Sequence, residues 1–177
     1  MVEKIPVDAG PPVIRVVHVS RNFNDTKAID DLSVELYRNQ ITVLLGHNGA
    51  GKTTLMNLMT GLFPPDRGDI FINGHSITKA TEEARKGIGL CPQHNVLFDY
   101  LTVGEHLRFF GQLKTGATVR EDEVDEMLHK VGLLGKEDDF PAQLTGGMMR
   151  KLSLANAAIG GSEVRRADTQ DKVYQSS

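Results

Sequence analysis

One stretch carries residues in an order that chemistry can use: "GHNGAGKTT", Gly46 to Thr54. It fits G-x-x-x-x-G-K-[ST], and its worth depends on where it lies, because a glycine-rich turn binds phosphate only when a strand delivers it and a helix leaves it. Gly46, Gly49 and Gly51 allow a tight turn whose successive N–H groups point inward, and the positive end of the following helix adds to the same field. His47, Asn48, Ala50 and Thr54 complete the loop, so it binds an anion chiefly through main chain. The Lys52 ammonium suits the β and γ phosphates of a nucleotide, and the Thr53 hydroxyl suits a magnesium ion. His47 has the side chain of a base, but the loop backbone fixes its position and a surface role is the simpler reading.

The elements around the loop meet these needs. "ITVLLG", residues 41–46, is apolar almost throughout, the pattern of a strand buried on both faces, and a helix is predicted from about Gly51 to Thr60. Upstream, β-branched "VIRVVHV" predicts a strand from Val13, and Leu32, Val34 and Leu36 alternate as in a half-buried strand. "FPPDRGDIFINGHSIT" reads as a hairpin closed by Asn-Gly. Thr102 and Glu105 form a capping box for a helix with Val103, Leu107 and Phe110 on one side. Val124, Met127, Leu128 and Val131 stripe a second helix, and Met148, Leu152, Ala155 and Ile159 a third that stops at Gly160-Gly161.

Composition narrows the partners. With 40% apolar and 24% charged residues in 177, the chain suits one globular unit, and a formal charge of -3 with no basic block gives no footprint for nucleic acid. No apolar run approaches the roughly 20 residues of a membrane span, and the first residues lack the apolar heart of a signal peptide. The single cysteine, Cys91, excludes an internal disulfide and reads as a small buried side chain rather than a redox centre.

Two further stretches single out a family. "CPQHNVLFDYLTVGEHL" puts Gln93 after the short strand "GIGL", and "LTGGMMRKLSLA" puts two glycines at a helix start. With "LGHNGAGKTTLMNLMTGLFPPDRG" and antiparallel strands ahead of it, the order resembles the nucleotide-binding domain of an ATP-binding cassette (ABC) transporter, and within that family the lipid-moving subfamily A. The resemblance covers about residues 13–163. It implies an α/β P-loop NTPase fold with an antiparallel β subdomain and a helical insert at about 100–150. From the residues themselves, Pro6, Gly10, Pro11 and Pro12 mark a linker at 1–12, and with only Val164 and Val173 as larger aliphatics beyond Ile159 a disordered tail is expected at 164–177.

The resemblance also implies roles. Phe23, in "SRNFND", falls where the family stacks an aromatic on adenine, the other reading being a core aromatic. Gln93 resembles the glutamine that joins the γ phosphate, its magnesium and water to the transmembrane partner. Leu144, Thr145, Gly146, Gly147 and Met148 resemble the signature sequence, which grips the γ phosphate held by the opposite domain of a dimer. Thr145 stands where the family more usually has Ser; the hydroxyl is kept and a methyl added. The implied ligands are ATP and Mg2+. The implied partners are a second nucleotide-binding domain and transmembrane domains, with no nucleic acid, and the implied place is the cytoplasmic face of a membrane, this chain alone being cytosolic.

In the family the signature helix leads to an apolar strand ending Asp-Glu and later to a histidine on the γ phosphate. Here it is followed by "GSEVRRADTQDKVYQSS", and all six histidines precede the signature. The pairs Asp30-Asp31, Glu82-Glu83, Asp122-Glu123, Asp125-Glu126 and Asp138-Asp139 end no four-residue aliphatic run. The expectation is therefore a truncated domain, missing the Walker B strand and everything after it, that binds MgATP and hydrolyses it little. "ITVLLG" would then show apolar faces and unpaired backbone. The other class of reading is an interaction protein that pairs with a complete nucleotide-binding domain, and a partial product without function is a third. A P-loop kinase or GTPase would leave Gln93 and the signature without a job.

Overall fold

The structure is a computed structural model that describes residues 10–38, 40–161 and the backbone of 164–167. Two compact units divide the chain, one reaching Gly87 and the other starting at Ile88.

The first unit is built on an antiparallel sheet. β1 (Ile14–Phe23) pairs with β2 (Thr26–Leu36) on one side and with β3 (Arg67–Ile72) on the other, and β3 pairs with β4 (His75–Ser76). The expected hairpin closes as Asn-Gly demands: Asn73 and Gly74 take φ of 49° and 82°, both left-handed, which matches the turn to the twist of the strands. Val16, Val19, Ile70 and Ile72 are fully buried, and Leu32, Val34 and Leu36 are half-buried as their alternation predicts. Register shifts interrupt β1 beyond Val16. At one of them Gly68 lies so close to the carbonyls of Val17 and His18 that a Cβ would stand 2.3 Å from each oxygen. The helix α1 (Lys52–Met59) follows the loop with Leu55, Leu58 and Met59 buried, and α2 (Thr81–Lys86) ends this unit.

Residues 41–46 depart from expectation. They form no strand, and Ile41, Val43, Leu44 and Leu45 are 57%, 46%, 37% and 79% exposed. An all-apolar strand is stable only between two neighbours that pair its backbone and cover both faces, and among the described residues no strand lies beside this segment. The expected burial fails, while the expected exposure of an unpartnered apolar segment is what is seen.

The second unit holds α3 (Val103–Thr115), α4 (Glu121–Val131) and α5 (Gly146–Ala158) around one apolar cluster, with Val103, Leu107, Val124, Leu128, Leu133, Leu152 and Ile159 at its centre. The capping box of Thr102 and Glu105 is present, and Gly116 and Gly132 end α3 and α4 in the left-handed conformation. Beside the helices lies β5 (Ile88–Cys91), paired in parallel with β6 (Val164–Ala167). β6 corrects the expectations of a tail disordered from residue 164 and of no strand after the signature helix. Backbone pairing to β5 needs only extended backbone, and Val-Arg-Arg-Ala supplies that without being an aliphatic run. Residues 1–9 of the expected linker and 168–177 of the expected tail lie outside the described residues.

Candidate functional site: a phosphate loop and two accessory segments

The loop in the first unit has the conformation its glycines suggest. Gly49 and Gly51 take φ of 85° and 83°, and Gly51 is the residue that caps α1. A Cβ on Gly51 would stand 2.4 Å from the Ala28 carbonyl oxygen and 2.9 Å from Ile29 Cδ1, so the helix start is seated against β2 where only glycine fits. The Ala50 amide donates to the His47 carbonyl at 3.1 Å, closing the turn. Lys52 Nζ donates to the carbonyls of Gly46 at 2.6 Å and His47 at 2.9 Å, which arches the ammonium back over the loop. Thr53 is exposed in the first turn of α1, Thr54 half-buried. His47 is exposed, its Nδ1 2.8 Å from the Asn48 carbonyl, and nothing in that contact activates it.

These residues fit a magnesium-bound triphosphate. They offer a tight glycine-rich turn at a helix start, a cation already over the turn, and an exposed hydroxyl next to it. Bound there, such a group would supply a phosphoanhydride and its metal.

Phe23 ends β1 opposite Thr26, so the β1–β2 turn that carries it belongs to the strand that seats Gly51. It is 43% exposed rather than core, packed edge-on to Phe63 at 5.7 Å, with the Arg21 guanidinium 5.1 Å from both rings and tied to Asp66 at 2.7 Å.

Gln93 and the signature-like residues belong to the second unit, and there the structure joins them. Gln93 is exposed two residues beyond β5. Arg150 of α5 donates to the Pro92 carbonyl at 2.5 Å and to that of Gln93 at 3.3 Å, and Ser153 Oγ donates to Asn95 Oδ1 at 3.2 Å. Further along, the Phe98 amide donates to Nε2 of the buried His106 at 2.8 Å. Arg150, Ser153 and His106 were not singled out from sequence. For His106 a signal existed, since it falls on the Val103, Leu107, Phe110 stripe; for Arg150 none did, because an arginine in a helix ordinarily reads as a solvated charge.

Thr145 caps α5, its hydroxyl accepting from the Met148 amide at 3.3 Å. Leu144 is buried and Met148 half-buried, both against the helical cluster. Gly146 and Gly147 are exposed in the first turn, have no left-handed φ, and a Cβ on either would meet nothing within 4 Å. Their own fold has no use for glycine, and each costs helix stability. Cys91 is buried; burial pushes its thiol up, with Arg150 opposing, which agrees with a packing role. Among the described residues no helix is long and apolar enough to cross a membrane, and no cluster of His, Cys, Asp or Glu could hold a metal.

Comparison with known proteins places this geometry. The family model described as "ABC transporter" matches residues 29–169. The chain is 51% identical over 161 residues to a rat protein named phospholipid-transporting ATPase ABCA3, covering 88% of this chain and 9% of that protein. It is 52% identical over 155 residues to rat ATP-binding cassette sub-family A member 2, covering 86% of this chain and 6% of that one. Among solved structures, cbiO1 from Clostridium perfringens, part of an ABC transporter complex, matches with a TM-score of 0.78 at 25% identity over 89% of this chain and 65% of its own. An ATP-binding subunit of an ABC transporter matches at 0.71 and 28%, over 81% and 60%. The chain thus spans less than a tenth of the length of those curated relatives, and within that span it belongs to the ABC transporter family, as nucleotide-binding-domain sequence of subfamily A.

Proposed function

We propose that the chain binds MgATP through Gly46 to Thr54. Lys52 and the loop amides would hold the β and γ phosphates, the Thr53 hydroxyl the metal, and Phe23 the adenine. The observation that carries the reading is the loop itself: a left-handed glycine seats the start of α1, and the Lys52 ammonium lies over the turn 2.6 Å from the Gly46 carbonyl. Gln93 would take the role of the family's glutamine toward a γ phosphate and its metal. Thr145, Gly146 and Gly147 would face the phosphate held by another nucleotide-binding domain, a role that accounts for two glycines their own helix does not need. Phospholipid transport is the activity in the name of the rat relative; in this chain's case it would need transmembrane domains and a second nucleotide-binding domain, at the cytoplasmic face of a membrane.

Little hydrolysis is proposed for these 177 residues by themselves. A site that positions no acceptor for the water's proton loses much of the roughly 10²- to 10⁴-fold that a general base supplies. The test is a MgATP binding isotherm on the full chain with Lys52→Ala beside it, together with phosphate release. Saturable binding lost in the variant supports the reading. Binding that ignores Lys52 defeats the site, and ATP turnover abolished by Lys52→Ala defeats the non-catalytic part.

A second reading, an interaction protein that pairs with a complete nucleotide-binding domain, is favoured by the exposed apolar run of Ile41, Val43, Leu44 and Leu45, since such a segment gains from strands another chain provides. Capture of an intact domain that depends on ATP and on Gly146 distinguishes it from nucleotide binding alone.

A further inference from the structure

We propose that His106 is a positioning residue: a neutral imidazole that fastens the far end of the Gln93 segment to α3 and lets go of it on protonation. The segment from Pro92 to Phe98 has no regular structure and is held from two helices. Arg150 of α5 holds the carbonyls of Pro92 and Gln93, Ser153 of α5 holds Asn95, and His106 of α3 holds the amide of Phe98. An arginine keeps its charge at any physiological pH and a serine hydroxyl does not ionise, so His106 alone among these three anchors can change its charge.

The hydrogen bonds fix the state of the ring. Nε2 accepts from an amide N–H at 2.8 Å and therefore carries no proton. Nδ1 lies 2.7 Å from the Thr102 carbonyl, which has no proton to give, so Nδ1 is the donor. A proton on Nε2 would set two N–H groups against each other. The ring is fully buried and stacks on Phe98 at 6.0 Å, and Phe98 in turn packs on Phe109 and Phe110. The charged neighbours are few. Burial lowers the pKa and outweighs the bond to the Thr102 carbonyl and the charge of Glu105 on the same helix, both of which favour the charged form. Asp99, next to Phe98, is exposed; Asp139, whose carbonyl receives the Val103 amide, holds its carboxylate on Lys136 at 2.7 Å; Arg150 points to the start of the segment. Protonation thus removes one anchor while the arginine and serine anchors stay, and the end of the segment nearest α3 loosens first.

The inference stands on hydrogen bonds within one unit and does not require that MgATP bind. Its test is amide exchange at Phe98 in the full chain from pH 7.5 to 5, after correction for intrinsic rates, for the wild type, His106→Gln and His106→Asn. Glutamine can present an acceptor where Nε2 lies; asparagine can replace only the bond to Thr102. The wild type is expected to lose protection at Phe98 as pH falls below the ordinary histidine range, by about two- to tenfold for one hydrogen bond. His106→Gln should keep protection without that pH dependence, and His106→Asn should lack it throughout. Wild-type protection at Phe98 in His106→Asn, or an unchanged pH profile in His106→Gln, overturns the proposal. If either variant fails to fold, imidazole ¹⁵N shifts of the wild type decide: a bare Nε2 at pH 7.5 is required, and a protonated one refutes it.

Discussion

Replacing Gly51 by alanine tests whether the phosphate loop is seated as described. Two costs add. The residue has φ of 83°, where an L side chain costs roughly 1–2 kcal/mol. The new Cβ would also stand 2.4 Å from the Ala28 carbonyl oxygen and 2.9 Å from Ile29 Cδ1. Backbone at β2 cannot move aside as a flexible side chain can, and overpacking of this kind costs about 1–3 kcal/mol. The sum, about 2–5 kcal/mol, is a large part of the roughly 5–15 kcal/mol that holds a domain together. Two other glycines serve as controls. Gly49→Ala has the same backbone problem at φ of 85° with nothing within 4 Å, so it should cost about 1–2 kcal/mol. Gly147→Ala lies in a helical turn with open space around it and should be neutral or stabilising by up to about 1 kcal/mol. Urea titrations followed by amide exchange at Leu58 for the first unit and Leu152 for the second would separate the three. Equal losses for Gly51→Ala and Gly49→Ala would show that the contact with β2 does not hold the loop, and the steric part of the reasoning would be wrong.

Other changes have smaller, local outcomes. Thr102→Ala removes the capping-box oxygen that accepts from the Glu105 amide at 3.3 Å and should destabilise α3 by about 1 kcal/mol, read as lost exchange protection in its first turn. Lys114 donates to the carbonyls of Asn156, Ala157 and Ile159 at the end of α5, so Lys114→Met should cost about 1 kcal/mol in thermal unfolding of the second unit, with no effect on the first. Because burial lowers the pKa of His106, the folded chain takes up fewer protons there than the unfolded chain. Its stabilising share is therefore complete above about pH 6.5 and is lost as pH falls through the lowered value. Stability measured from pH 7.5 to 5 should fall in the wild type and stay flatter in His106→Gln. That window lies above the one in which Glu121 and Glu126 take up protons, since Arg108 and Lys130 hold those carboxyls below their ordinary value.

How far the sequence could be read depended on whether a pattern's partner lies close along the chain. The Asn73-Gly74 turn, the Thr102–Glu105 box, the Gly160-Gly161 stop and the three helical stripes are local, and each is present. The loop conformation was legible for the same reason, since its glycines and lysine act within a few residues. "ITVLLG" was not, because its apolar run describes what must surround it rather than what it is, and those surroundings are other strands. β6 was missed for the opposite reason: two arginines hide an extended segment whose only requirement is backbone pairing with β5. Phe23 could not be assigned to core or surface from its neighbours, because its exposure depends on Arg21 and Phe63, the latter forty residues away in the chain.

The contacts between Arg150 and the Gln93 segment bear on how two motifs far apart in sequence act together. Arg150 stands three residues after Gly147 on the same helix, and its guanidinium holds the main chain of Pro92 and Gln93 rather than the Gln93 side chain. The glutamine amide therefore stays exposed and free to contact other groups while its backbone is fixed to the helix that begins at Thr145. A shift of α5 along its axis must move the Gln93 backbone or break charge-assisted hydrogen bonds, which are among the stronger neutral-to-ionic contacts a surface segment can make. The second anchor, Ser153 to Asn95, lies one helical turn further along α5 and resists rotation about the first. Coupling between the two motifs thus follows from two side chains on one face of a helix, with no need for the motifs themselves to touch.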